Sequence, residues 1–156
     1  MPAGSAEQQA VVTTPNEREL VITRTFHAPR AVVFDAWTRP EHVKQWWDPS
    51  GAPLERCEID LRAGGEFRFV HRESGHAFSG VYREITPPES LVFTTLVGPQ
   101  RAEVTGRLVF EEAKGGTKLV MTMSCPSAEV RDLLLALRID AGTVRTLQNL
   151  AAYLER

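Results

Sequence analysis

Apolar residues change period once along this chain, and that change restricts the fold more than any other feature. Outside residues 29–49, the stretch from Glu19 to Cys125 carries them mainly at every second position, in short segments. From Ala128 to Leu154 they step by threes and fours. A period of two sends alternate side chains to opposite faces of a strand, whereas a period near 3.6 gathers them on one helical stripe. Neither surface is stable while exposed to water, so strands and helix must cover each other. The pattern predicts an α+β domain. A curved antiparallel sheet of about six to seven strands wraps a long C-terminal helix over residues 128–154, with two short helices after the first strand.

The strand segments are punctuated by turn signals. Glu19–His27 reads as the first strand. Gly64-Gly65, Gly75, Thr86-Pro87-Pro88 and Lys114-Gly115-Gly116 separate the later ones. Residues 1–17 have no periodic face and read as a flexible arm, which leaves 18–156 as one domain. A chain of 156 residues fits a single core. In the C-terminal segment, Ser127 is the expected cap and Gly142 the expected weak point. Arg131, Arg138 and Arg145 recur every seven residues and read as one solvated stripe.

All three tryptophans fall in Trp37-Thr-Arg-Pro-Glu-His-Val-Lys-Gln-Trp-Trp-Asp-Pro49. Pro29 and Pro40 suit the start of two short helices, because proline lacks the N–H that a first turn leaves unpaired. Val33, Phe34 and Trp37 share a face of the first, so Trp37 reads as core. Trp46 and Trp47 are neighbours and point about 100° apart on a helix. One of them plugs the fold. The other faces a pocket mouth or a partner, and Trp46 is the expected pocket residue.

Phe67, Phe69, Phe93, Phe110, Met121 and Met123 are candidates for the inner sheet face, and Leu134, Leu137, Ala141 and Val144 for the helix face. Solid core and pocket lining have the same composition, so both readings stand at this level. His71, Tyr82, Arg24 and Arg107 lie in apolar β segments. Any that points inward needs a partner, which makes His71, Tyr82 and Arg107 the candidate polar anchors of a ligand.

Several functions are excluded or have no support. The formal net charge is -2, with basic residues dispersed along the chain, so no nucleic-acid partner is expected. No apolar run is long enough to span a bilayer, so membrane insertion is not expected. No secretory signal precedes the first strand, and the expected location is cytoplasmic. Cys57 and Cys125 share no metal-ligand spacing and read as free thiols. His71, Glu73 and His76 fall short of a metal-ligand set. No glycine-rich phosphate loop or nucleophile elbow occurs, and no cofactor or metal is expected.

Four segments together carry a family resemblance: ITRTFHAPRAVVFDAWTRPEHVKQWW, DLRAGGEFRF, SGVYREITPPESLVFT and FEEAKGGTKLVMT. Over about residues 19–155 the chain resembles the bacterial branch related to activators of the heat-shock chaperone ATPase. That branch lies within the START-like, pollen-allergen-like helix-grip superfamily, also called SRPBCC. The resemblance implies a helix-grip fold with a cavity between the sheet and the C-terminal helix. It also implies a small hydrophobic molecule as the partner, with no universal catalytic set to transfer. Similar sequences usually carry tryptophan after the glycine of the last helix, where this chain has Thr143. One domain is expected, without the extra chaperone-binding domain of the eukaryotic activators.

Binding of a small, largely apolar molecule is therefore the leading expectation. Its candidate contacts are Trp46, Phe69, His71, Tyr82, Phe93, Arg107, Met121, Met123, Leu134 and Leu137. The alternatives are a protein-interaction or co-chaperone-like module, which requires an exposed aromatic patch, and a small-molecule enzyme of the cyclase or hydrolase kind. A homodimer is a further expectation.

Overall fold

The computed structural model describes residues 9–156. Its strands are β1 (Val11–Thr13), β2 (Glu19–Phe26), β3 (Arg56–Ile59), β4 (Glu66–Val70), β5 (Ala77–Thr86), β6 (Ser90–Val97), β7 (Ala102–Ala113) and β8 (Gly116–Ser124). Helices α1 (Arg30–Thr38) and α2 (Pro40–Trp46) follow β2, and α3 (Ala128–Ala136) and α4 (Ile139–Leu154) end the chain. The described strands form one antiparallel sheet in the order β1-β2-β8-β7-β6-β5-β4-β3. Strands β3 to β8 are a simple meander, and β2 returns to pair with β8.

The eighth strand is β1, which pairs with β2 from Val11↔Thr23 to Thr13↔Val21. It lies inside the segment read as an arm. Its three residues form an edge strand too short to give an alternation signal. Of the rest of that arm, residues 1–8 lie outside the described residues.

Register creates one continuous inner face. Leu20 opposes Met123 and Ile22 opposes Met121 across β2 and β8. Leu108 opposes Met121, and Phe93 opposes Gly106. Tyr82 opposes Phe93, Phe67 opposes Gly80, and Phe69 opposes Phe78. The two glycines sit beneath rings. A Cβ on Gly106 would lie 2.3 Å from Phe93 Cζ, and one on Gly80 would lie 2.6 Å from Phe67 Cζ. Glycine at these positions lets both rings lie down on the sheet.

Helices α1 and α2 close one part of this face. Val33, Phe34 and Trp37 of α1 are buried, and Phe34 meets Phe110 edge-on at 5.4 Å between centroids. Pro40 occupies the first turn of α2, where it costs no hydrogen bond.

The C-terminal segment is two helices instead of the single one expected. Ser127 caps α3 by accepting from Val130 N, but the helix ends at Ala136 with Leu137 as its C-cap, and Arg138 adopts φ 59 and ψ 35. One left-handed residue turns the chain without disturbing a three-and-four spacing, so periodicity does not reveal it. Arginine also gives no warning, since glycine and asparagine are the usual occupants of that region. The break divides the expected arginine stripe. Arg131 is largely buried and donates to Asn16 O at 2.8 Å, Arg138 sits at the hinge, and Arg145 is exposed.

Helix α4 grips the sheet unevenly. In its C-terminal half Leu147 and Leu150 are fully buried. In its N-terminal half Ile139, Gly142, Thr143 and Thr146 face an opening instead.

Candidate functional site

The opening is a cavity of about 320 Å³ between the sheet and the start of α4. Its floor is the inner face of β2 and β8: Leu20, Ile22, Met121 and Met123. One side is aromatic, made by Trp37, Trp47, Phe78 and Phe93. The exposed Leu137 and Arg138 mark its mouth, and Pro49 and His71 complete the lining. A smaller void of about 20 Å³ continues inward past Phe67, Phe69 and Tyr82.

The aromatic side is held by ring contacts. Trp47 stacks on Phe78 with centroids 5.3 Å apart and meets Phe69 edge-on at 4.9 Å. Phe67 lies against Tyr82 at 5.0 Å and stands perpendicular to Phe93 at 5.5 Å. Such offset and edge-on pairs add about 0.5–1.5 kcal/mol each beyond burial.

The two adjacent tryptophans have the opposite roles from those expected. Trp46 is 1 % exposed, and its Nε1 donates to Ala36 O at 3.0 Å, which locks it between α1 and α2. Trp47 is the C-cap of α2, half-buried, and lines the cavity. The reason is the anchorage of the chain after α2. Thr146 donates its hydroxyl to Trp47 O at 2.9 Å, and Asn149 donates to Asp48 O at 2.9 Å. These bonds hold residues 47–48 against α4 and turn the second indole under it.

Among the other expected contacts, Phe93, His71, Met121, Met123 and Leu137 line the cavity, and Phe69 and Tyr82 line the inner void. Two do not reach either. Leu134 is buried in the core on α3, before the hinge. Arg107 is exposed, because Val104, Gly106, Leu108 and Phe110 occupy the inner face of β7 and odd positions point out. Arg24 does lie on the inner side of β2, near the end of α4. Its guanidinium lies 5.6 Å above the Phe26 ring, and its Nε is buried without a hydrogen bond. The cavity is also lined by residues outside the expected set, among them Leu20, Ile22, Trp37, Trp47, Phe78 and Thr143. The alternation Phe78, Gly80, Tyr82 was a readable sign for Phe78.

The main polar feature is a pair that no sequence spacing announces. His71 Nδ1 lies 3.0 Å from Asp48 Oδ2. Asp48 Oδ1 accepts from Ser50 N at 2.9 Å. Burial alone would raise the Asp48 carboxyl, but the hydrogen bonds from His71 and Ser50 outweigh it and hold the group below the usual carboxylate value. His71 does not join His76 and Glu73, which are exposed.

A lowered carboxyl makes stability depend on pH. Asp48 contributes above its unfolded value near 3.8, and the contribution disappears as pH falls through the lower folded value. Asp48→Asn is therefore expected to cost about 1.5–3 kcal/mol at pH 7, the usual range for a hydrogen bond to a charged group. The gap to wild type should shrink below pH 3.8. Urea midpoints at pH 7, 5 and 3 check this, and a gap that widened in acid would refute it.

Burial pushes the Cys57 thiol up to about 12, and burial also raises Cys125 and the Tyr82 hydroxyl. Both cysteines are free. Tryptophan offers no partner surface either: Trp37 and Trp46 are buried, and Trp47 is turned to the cavity. The exposed aromatic patch required by that form of the interaction reading is missing among the described residues.

A curved antiparallel sheet that closes on a C-terminal helix and leaves an apolar cavity beneath it defines a protein of the helix-grip class. The chain belongs to the family described as Activator of Hsp90 ATPase homolog 1-like protein, whose sequence pattern matches residues 27–155. Solved bacterial structures share the fold. A protein from Nitrosomonas europaea is 27% identical, with TM-score 0.80 over 91% of this chain and 97% of its own. An uncharacterised protein from Rhizobium leguminosarum is 31% identical, with TM-score 0.68 over 95% and 97%. One from Rhodobacter sphaeroides has TM-score 0.83 at 22% identity, over 94% and 98%. No curated protein shows significant sequence similarity to the chain. Among the described residues, no helix is long and apolar enough to cross a membrane.

Proposed function

We propose that this protein binds a small, largely apolar molecule in the cavity between the sheet and α4. The observation that carries the reading is the cavity itself: about 320 Å³, walled by leucine, isoleucine, methionine and aromatic side chains. Pockets that hold small molecules typically start near ~300 Å³ and combine an apolar wall with a few fixed polar groups. His71 and Thr143 supply such groups here. The methionines suit the role, since their unbranched side chains adapt to more than one guest. Family membership supports the same reading, because helix-grip relatives commonly hold hydrophobic ligands.

Trp47 provides the test. Titration with 8-anilinonaphthalene-1-sulfonate should raise dye emission saturably and quench tryptophan emission together. Trp47→Phe should retain dye binding and lose only the share of the quenching that Trp47 contributes, since Trp37 also lines the cavity. Dye that neither binds nor quenches at high micromolar concentration would remove the proposal.

A further inference from the structure

The polar end of the cavity is more specific than its apolar walls. We propose that the ligand is an apolar molecule carrying a neutral hydroxyl group, which donates a hydrogen bond to Nε2 of His71. This rests on the cavity being a binding site and names the chemistry recognised there.

The inference starts from Asp48. Both of its carboxylate oxygens are committed, Oδ1 to Ser50 N and Oδ2 to His71 Nδ1. Its own backbone is tied to α4 through Asn149. An ionised carboxylate only accepts hydrogen bonds, so Nδ1 of His71 must carry the proton of this contact. In the neutral ring the other nitrogen, Nε2, then presents a lone pair. His71 lines the cavity, and Nε2 has no protein hydrogen-bond partner among the described residues. The carboxylate thus sets the tautomer and the ring plane, as an orienting group does behind a functional histidine.

An acceptor in an apolar cavity selects a donor. A hydroxyl on the ligand fits without changing the charge of the site. A carboxylate head offers only lone pairs, so it requires a protonated ring and places a second negative charge close to Asp48. The Thr146 hydroxyl is already used on Trp47 O. Thr143 lines the same cavity one turn earlier and can donate to the oxygen of the bound hydroxyl. The competing head group is an anion held by Arg138, an exposed cation at the mouth.

Three probes of equal shape separate these cases: 4-pentylphenol, pentylbenzene and 4-pentylbenzoate, titrated calorimetrically. The phenol should bind wild type about tenfold more tightly than pentylbenzene, the factor supplied by one ordinary net hydrogen bond. His71→Asn keeps an amide N–H for Asp48 but removes Nε2, so the ratio of phenol to pentylbenzene affinity, measured on the same folded variant, should fall to within about twofold. His71→Phe should give the same loss. Equal wild-type affinity for phenol and pentylbenzene overturns the proposal. So does a preference for benzoate that disappears in Arg138→Gln. If none of the three binds, the cavity reading fails first and the head-group assignment falls with it.

Discussion

Thr143→Trp is expected to weaken binding of apolar probes by about 100-fold or more while leaving the protein folded. Thr143 lines the cavity from the first half of α4, beside Gly142. Gly142 itself faces the Pro49 ring, where an added Cβ would meet Cγ at 3.9 Å. Because Thr143 lines the cavity, an indole there extends into the space a ligand would fill. Burying it there adds apolar area at about 25 cal/mol per Å², so the variant should gain about 1–3 kcal/mol if the cavity accepts the ring. The threonine here leaves the space open. Dye titration and urea unfolding check both halves. Full probe affinity in a folded variant would show that binding occurs elsewhere.

The second large effect separates the adjacent tryptophans. Trp46→Ala should cost about 3–5 kcal/mol, the range for deleting a buried aromatic side chain, because it also strands the Ala36 carbonyl. Trp47→Ala should cost about 1–3 kcal/mol, since that ring is only partly enclosed and its main packing partners are Phe69 and Phe78. It should instead change probe affinity, which Trp46→Phe should leave alone. Urea midpoints and probe titrations on the same samples decide it. Equal stability losses, or the reverse order, would contradict the packing described.

The strand and short-helix pattern was readable because each element repeats its period several times. Glu19–Phe26, Arg30–Thr38 and Pro40–Trp46 are short but bounded by proline or polar residues. The edge strand at Val11–Thr13 offers too few residues for any period. The hinge at Arg138 leaves no composition signal, because the left-handed turn falls on a residue type that seldom adopts it.

Site residues were legible where alternation decides the face. Phe93, Met121 and Met123 follow from it, and the same rule applied to Val104, Leu108 and Phe110 sends Arg107 outward. Contacts made across the chain were not legible. His71 meets Asp48 from 23 residues away, and Thr146 holds Trp47 O from 99. Trp46 and Trp47 show the limit most clearly. Their spacing says that they point apart, but the bonds from Thr146 and Asn149 to the chain after α2 decide which one faces the cavity.

The most direct measurement is a crystal structure of the protein grown with saturating pentylbenzene. The alkyl and ring density is expected between Trp47, Phe93, Met121 and the first half of α4, within hydrogen-bonding distance of neither Asp48 nor Arg138. Density only on the outer surface, with α4 closed down on Met121 and Met123, would contradict a ligand cavity in this protein.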